Sequence, residues 1–255
     1  MPKKFEGDLN YIDPSFLVSK KGNPRIEGFF IGLGVVFNDM KGLVLFEKLI
    51  LDEYETPVAT EVSSHVGNYG GVMIQIQKLM VSTIHEFFIF LKKNSDVFTT
   101  PEFKEILSKL SKADRQLWDG LLAAAHGRLS TVADLLKAIV QVRSNIAFHY
   151  DHSGKILRNA YSSRFFGNVK DGKTDYAYYS IGDRIALTRF YFSDAAVEEA
   201  LYIAAGKKPK ENSVGDASLE KFKEQVRETI NVMSSTISAL MKNYIQFRRN
   251  QSHST

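Results

Sequence analysis

Residues 23–54 read NPRIEGFFIGLGVVFNDMKGLVLFEKLILDEY, and the reading of this stretch sets the fold class. Ile26, Phe29, Phe30, Leu33, Phe37, Met40, Val44 and Ile50 recur three to four residues apart, the period of one helix face. Asn23 is a capping residue and Pro24 suits the first helical position, so a helix is expected from here to about Tyr54. Gly28, Gly32 and Gly34 each weaken a helix by up to ~1 kcal/mol, and close packing of another helix is the expected reason for them. Gly32-Leu33-Gly34 follows no strand and so suits no dinucleotide fingerprint.

Outward from this stretch the helical period continues. Gly67 to Gly71 reads as a chain break, after which Val72, Ile76, Leu79, Met80, Thr83, Ile84, Phe87, Phe88 and Leu91 mark a second long helix. Thr100-Pro101-Glu102 and the Ser111 to Asp114 capping box open two more, the latter ending at Gly127. Thr131 to Asp134 is a third such start, leading through Leu135, Leu136, Ile139, Val142 and Ile146. From Asp175 to Phe192 the period changes to two, with Gly182-Asp183 between aromatic runs, which predicts a two-stranded hairpin. Ser193-Asp194 then opens a short helix that stops at Gly206. After a polar connector from Lys207, a last helix carries Phe222, Val226, Ile230, Met233, Ile237, Leu240, Met241 and Tyr244 to about Phe247. The expected organisation is therefore mostly α. Residues 1–22 form an irregular start, 23–247 one helical domain with a small β-hairpin near 175–192, and 248–255 a flexible tail.

Composition narrows the function. The 255 residues are 44% apolar and 24% charged, too hydrophobic for general disorder. There is no cysteine, which excludes disulfide scaffolds, zinc–cysteine sites, iron–sulfur clusters and thiol nucleophiles. The start of the chain lacks a signal-peptide core, and the apolar run Gly28 to Phe37 is about half a membrane span, so a soluble cytoplasmic protein with no membrane association is expected. The net charge of +4 permits an anionic partner without requiring one.

Several catalytic signatures fail on inspection. His85-Glu86 begins like a zincin motif, but Ile89 stands where the second histidine belongs. No P-loop and no Gly-x-Ser-x-Gly elbow is present. His149, Asp151 and His152 crowd together and could in principle hold a metal, although a solvated helix end accounts for them equally well. No metal and no cofactor is assigned.

One segment stands apart: Val142-Arg143-Ser144-Asn145-Ile146-Ala147-Phe148-His149-Tyr150-Asp151. Arg248 with His253 has a similar spacing, but it lies in a polar tail, whereas Arg143 and His149 close a capped amphipathic helix. The segment resembles the signature of the HEPN superfamily, helical proteins whose catalytic members carry Arg, four to six residues, then His. Arg143, Ala147, Phe148, His149 and Tyr150 match it, while Ser144 stands where the family usually has Asn, with Asn145 following. The resemblance implies a helical bundle, a homodimer with a composite site, and a metal-independent endoribonuclease of the kind used in toxin or phage-defence systems. An antitoxin or nucleotidyltransferase partner is implied alongside. A non-catalytic binding or interaction protein of the same superfamily is the alternative.

The chemistry suits the residue types. RNA carries its own nucleophile in the 2′-hydroxyl, so the protein need supply only a proton-transfer group and a cation. Histidine titrates near neutrality, and the arginine fork matches phosphate oxygens. His149 would act as general base or acid, and Arg143 would stabilise the pentacoordinate phosphorus. Ser144, Asn145 and Tyr150 would position substrate, and Arg158 and Arg164 would extend a phosphate-binding groove. Six residues along a continuous helix span ~600°, leaving Arg143 and His149 ~120° apart. One unbroken helix therefore does not aim both at one point; either the helix ends near Ala147 or two copies combine. The aromatic residues Tyr176, Tyr178, Tyr179, Phe190, Tyr191 and Phe192 could stack bases, although covering a helical core is the commoner task. Lys207, Lys208 and Lys210 could touch phosphate or simply lie in a solvated loop.

Overall fold

A computed structural model describes residues 12–18, 22–55, 62–128, 139–140, 150–166, 176–205 and 217–252. The description excludes the side chains at 150–154, 186, 217–220 and 252. The described residues are mostly α-helical. The helices are α1 (Pro14–Leu17), α2 (Pro24–Glu53), α3 (Ser64–Lys93), α4 (Pro101–Ser108), α5 (Lys112–Ala125), α6 (Tyr150–Phe166), α7 (Tyr191–Ala204) and α8 (Ala217–Ser252).

Local chemistry sets most of the helix starts. Asn23 accepts from the Arg25 amide, and Thr100 from the Phe103 amide, each with proline at the head of its helix. Ser111 accepts from the Asp114 amide while its hydroxyl donates to the Asp114 carboxylate at 2.7 Å, closing the expected capping box. Gly127, at φ 67°, ends α5 in the left-handed region that favours glycine.

The core lies where α2, α3, α4, α5 and α8 meet. Phe29 stacks on Phe90 with ring centroids 5.2 Å apart and meets Phe98 and Phe103 edge-on. Trp118 closes this cluster from α5, 5.2 Å from Phe98. Phe30 lies flat against Tyr244 of α8 at 3.9 Å. Each fully buried side chain of this size contributes roughly 1.5–3 kcal/mol by leaving water. Gly32 serves the close packing expected of it, because a Cβ there would meet the Phe90 ring at 2.8 Å. Gly28, by contrast, has nothing within 4 Å of that position.

Three boundaries differ from the sequence reading. The Gly67 to Gly71 break does not occur, because α3 runs through it from a Ser63 cap. A Cβ at Gly67 would overlap the Tyr191 ring, and one at Gly71 the Arg189 guanidinium, so the glycines admit neighbours rather than end the helix. The hairpin expected at 175–192 reduces, among the described residues, to one antiparallel bridge between Ser180 and Arg189. A 3₁₀ turn at Ile185–Leu187 occupies the place of a second strand, and α7 begins at Tyr191 rather than at Ser193. Finally, helix continues past Phe247 to Ser252, where a flexible tail was expected. Arg248 is buried there, with Nη2 donating to Glu27 at 3.0 Å and Nε to the Phe16 carbonyl at 2.7 Å. This second bond anchors α1, within the stretch expected to be irregular.

The apolar reach of α2 also exceeds the half span counted from Gly28 to Phe37. An 18-residue window in α2 has mean hydropathy 1.6, so the helix is long and apolar enough to cross a membrane by length and composition. A core helix of a soluble protein meets the same test. Here Glu27 and Glu47 pair with Arg248 and Arg227 of α8, the latter at 2.8 Å, tying α2 to its neighbour in the bundle.

The Tyr244 phenol donates to the Leu17 carbonyl at 2.7 Å, and burial pushes its pKa up to about 12. Because the folded value exceeds the ordinary value near 10, this contribution is complete below pH ~10 and is lost as pH rises towards 12. Tyr244→Phe is expected to cost about 1 kcal/mol at pH 9, as one net hydrogen bond. Urea unfolding of both proteins should show the gap narrowing between pH 10 and 12.

Candidate functional site

The predicted catalytic pair, Arg143 and His149, and the positioning residues Ser144 and Asn145 lie outside the described residues. The helix start at Thr131 to Asp134 and the lysines of the 207–210 connector lie outside them too. Tyr150 is the first described residue of α6 and follows His149 in the sequence. Asp151 and His152 follow it in the helix.

Arg158, two turns further along α6, lines a cavity of about 740 Å³. Leu157 and Tyr161 of α6, Lys78 of α3, Ala177 and Tyr179, and Phe192 to Asp194 at the start of α7 form much of its wall. Arg164 is not among the wall residues; its guanidinium lies 5.8 Å from the Phe165 ring. The two arginines proposed for one groove are therefore not brought to the same place, as six residues of helical rotation dictate.

The cavity is built by long-range packing. α6 lies along α7, which in turn packs on α3. Ser163 donates to the buried Glu199 at 2.7 Å, joining α6 to α7. The bridge between Ser180 and Arg189 holds the 176–190 segment beside the mouth, and Tyr191 fastens it to α3 through the Ser64 carbonyl at 3.4 Å. Phe192 meets Tyr161 edge-on at 6.4 Å, forming an aromatic corner.

Sequence reasoning missed Lys78. It follows Gln77 and precedes Leu79 on the most regular apolar helix after α2, and a lone lysine at such a position was the available signal. Lys78 is only 8% exposed. No hydrogen bond or close ion pair holds it among the described residues. Its pKa is lowered, chiefly because burial penalises the ammonium, with Asp194 acting in the other direction. Asp194 is already engaged, since Arg189 Nε donates to it at 2.7 Å. Arg158 is exposed and makes no close ion pair among the described residues. Lys78 and Arg158 thus share one cavity with three aromatic rings and the Asp194 carboxylate.

The aromatic residues expected to cover the core do not all do so. Tyr176 is 74% exposed and Tyr179 63%, with Tyr178 and Phe190 half exposed. Leaving so much apolar ring surface in water is unfavourable, and surfaces of this kind mark interaction sites. Among the described residues, no group of three His, Asp or Glu side chains is placed to hold a metal ion. The chain matches no protein-family profile, and comparison with curated proteins and with solved structures finds none similar to it.

Proposed function

We propose that this protein is a cytoplasmic, metal-independent endoribonuclease of the HEPN type, acting as a homodimer. The observation that carries the reading is the course of α6. Its described part begins at Tyr150, next in sequence to His149, and two turns on it carries Arg158 on the wall of a cavity flanked by exposed tyrosines. A phosphate chain bound along this helix would pass from a cationic, aromatic binding surface to the motif. The 2′-oxygen attacks the adjacent phosphorus as His149 takes its proton, and the bond to the 5′-oxygen breaks as that oxygen is protonated. The products are a 2′,3′-cyclic phosphate and a 5′-hydroxyl. Arg143 offsets the charge that accumulates on the phosphorane oxygens. Ser144, Asn145 and Tyr150 position the strand. In a toxin or phage-defence setting an antitoxin or nucleotidyltransferase would hold the activity in check.

The second reading is a non-catalytic RNA-binding member of the superfamily. It is favoured by the cavity itself, which offers cations and rings suited to binding. Incubation of labelled RNA with excess chelator separates the two. Undiminished cleavage leaving cyclic-phosphate ends is the expected result. Cleavage abolished by chelator and restored by a divalent ion would overturn the metal-independent mechanism and shift attention to His149, Asp151 and His152. Tight RNA binding without cleavage would leave the binder. Sedimentation of the same preparation should give a dimer.

A further inference from the structure

We propose that a second cavity, lined by α3, α7 and α8, binds a small neutral aromatic molecule that carries one N–H or O–H donor, with Gln77 accepting its hydrogen bond. This site does not depend on the ribonuclease reading. Tyr69, Gly70, Met73, Ile74 and Gln77 follow one another at steps of three to four residues along α3 and so share one of its faces. That face borders a cavity of about 300 Å³, which Leu201 of α7 and Phe222 of α8 help to close.

Gln77 is the decisive residue. It is 5% exposed, and its Oε1 is buried without a hydrogen-bond partner. Taking an amide carbonyl out of water without supplying a donor is unfavourable, and native interiors rarely leave one in that state. Packing alone would be served better by leucine or methionine, which carry no carbonyl to desolvate. A lone water is a poor donor here, because it needs two to four polar partners, whereas Met73 and Ile74, one turn before Gln77, present apolar side chains. An N–H or O–H on a bound molecule would satisfy the carbonyl directly.

Charge and shape define the rest of the occupant. The charged residues of the wall are Glu198, Lys223 and Arg227. Arg227 donates to Glu47 at 2.8 Å, and Glu198 and Lys223 are each engaged by other groups. With Glu47 included, two carboxylates balance two cations, so no net charge is left for an ion to neutralise. The occupant is therefore neutral. Tyr69 and Phe222 supply rings from α3 and α8, and a flat aromatic body gains from ring contacts beyond its buried area. At about 300 Å³ the cavity stands at the small end of ligand sites, sized for one or two fused rings. Gly70 supplies room for them. Gly67 and Gly71 of the same helix are explained by Tyr191 and Arg189, whereas a Cβ at Gly70 would meet nothing within 4 Å. Glycine inside a helix is unfavourable beside alanine, and the open space it leaves in this wall is what a bound ring would use.

The test is isothermal titration of the full chain with indole and with benzofuran, which has the same shape but a ring oxygen in place of the N–H. Wild type is expected to bind indole about tenfold more tightly, the gain from pairing one buried carbonyl. Gln77→Met removes the acceptor at nearly constant length. It should bring the two probes to about equal affinity, with a Tm equal to or above that of wild type, because an unpaired carbonyl is lost. Gly70→Leu fills the open space and should abolish binding of both probes at a Tm no lower than wild type, since leucine favours the helix over glycine. Equal affinity of wild type for the two probes would overturn the role of Gln77. A large fall in Tm for Gln77→Met would do the same, by showing that its carbonyl is already paired within the fold. Binding retained in Gly70→Leu would put the probe elsewhere and overturn the site. Absence of binding by both probes would overturn the proposal entirely.

Discussion

Replacing His149 with alanine is expected to slow RNA cleavage by about 10²–10⁴-fold, the usual contribution of a general acid–base group, while RNA affinity changes little. The substitution removes proton transfer and leaves the phosphate-binding cations in place. Arg143→Ala should reduce both cleavage and affinity, because a guanidinium touches phosphate in ground and transition states alike. The comparison is made on labelled RNA at equal folded concentration, verified by thermal melting. Equal rates for wild type and His149→Ala, or rates no higher than a blank purification, would remove the enzyme and leave the RNA-binding reading. A composite site adds a further expectation. Mixing His149→Ala with Arg143→Ala protein should restore part of the activity, because half of the heterodimer's sites would then pair an intact arginine with an intact histidine from different copies.

The largest expected effect on stability concerns Arg248. Its ion pair with Glu27 is almost wholly excluded from water, at 8% and 5% side-chain exposure and 3.0 Å separation. Arg248→Ala leaves the Glu27 carboxylate buried without this partner and also removes the donor to the Phe16 carbonyl. Breaking such a pair from one side typically costs about 3–5 kcal/mol, which for a chain of this size lowers Tm by roughly 6–20 °C. The double replacement Glu27→Leu with Arg248→Met should recover most of that loss, because desolvating both charges costs about what their attraction returns. Urea unfolding of the two proteins checks both statements. A single variant as stable as wild type would show that α8 does not depend on its last turns. Proteolysis should cut residues 13–18 sooner in Arg248→Ala, since α1 is tied to α8 through this side chain and the Tyr244 hydroxyl.

Much of the helical frame was legible from short-range chemistry. Asn23 and Pro24, Thr100 and Pro101, and Ser111 with Asp114 are cap signals whose partners lie within three residues. Nothing distant can easily overrule them. The 3.6-residue recurrence through α2 and α8 likewise identifies buried positions such as Phe29, Leu33, Ile237 and Tyr244 before any packing is known. The motif from Arg143 to His149 was visible in the same way, as a local word on a periodic background.

Other features depended on partners far along the chain. Gly67 and Gly71 look like helix breakers until Tyr191 and Arg189, more than a hundred residues later, are seen to occupy the space that their missing side chains leave. Alternation through Tyr176 to Phe192 suggested two strands, but among the described residues the segment forms a single β-bridge, Ser180 with Arg189, and the rings turn partly to solvent and partly to the cavity. Arg248 reads as a solvated tail residue because its counter-charge, Glu27, is 221 positions away. Lys78 was hidden for the same reason. Its neighbours in sequence are Gln77 and Leu79, and only packing brings it to one cavity with Arg158, Tyr161 and Phe192. Caps and periods are written in contacts of three or four residues, whereas a binding cavity is made of side chains whose proximity exists only once α3, α6 and α7 have packed.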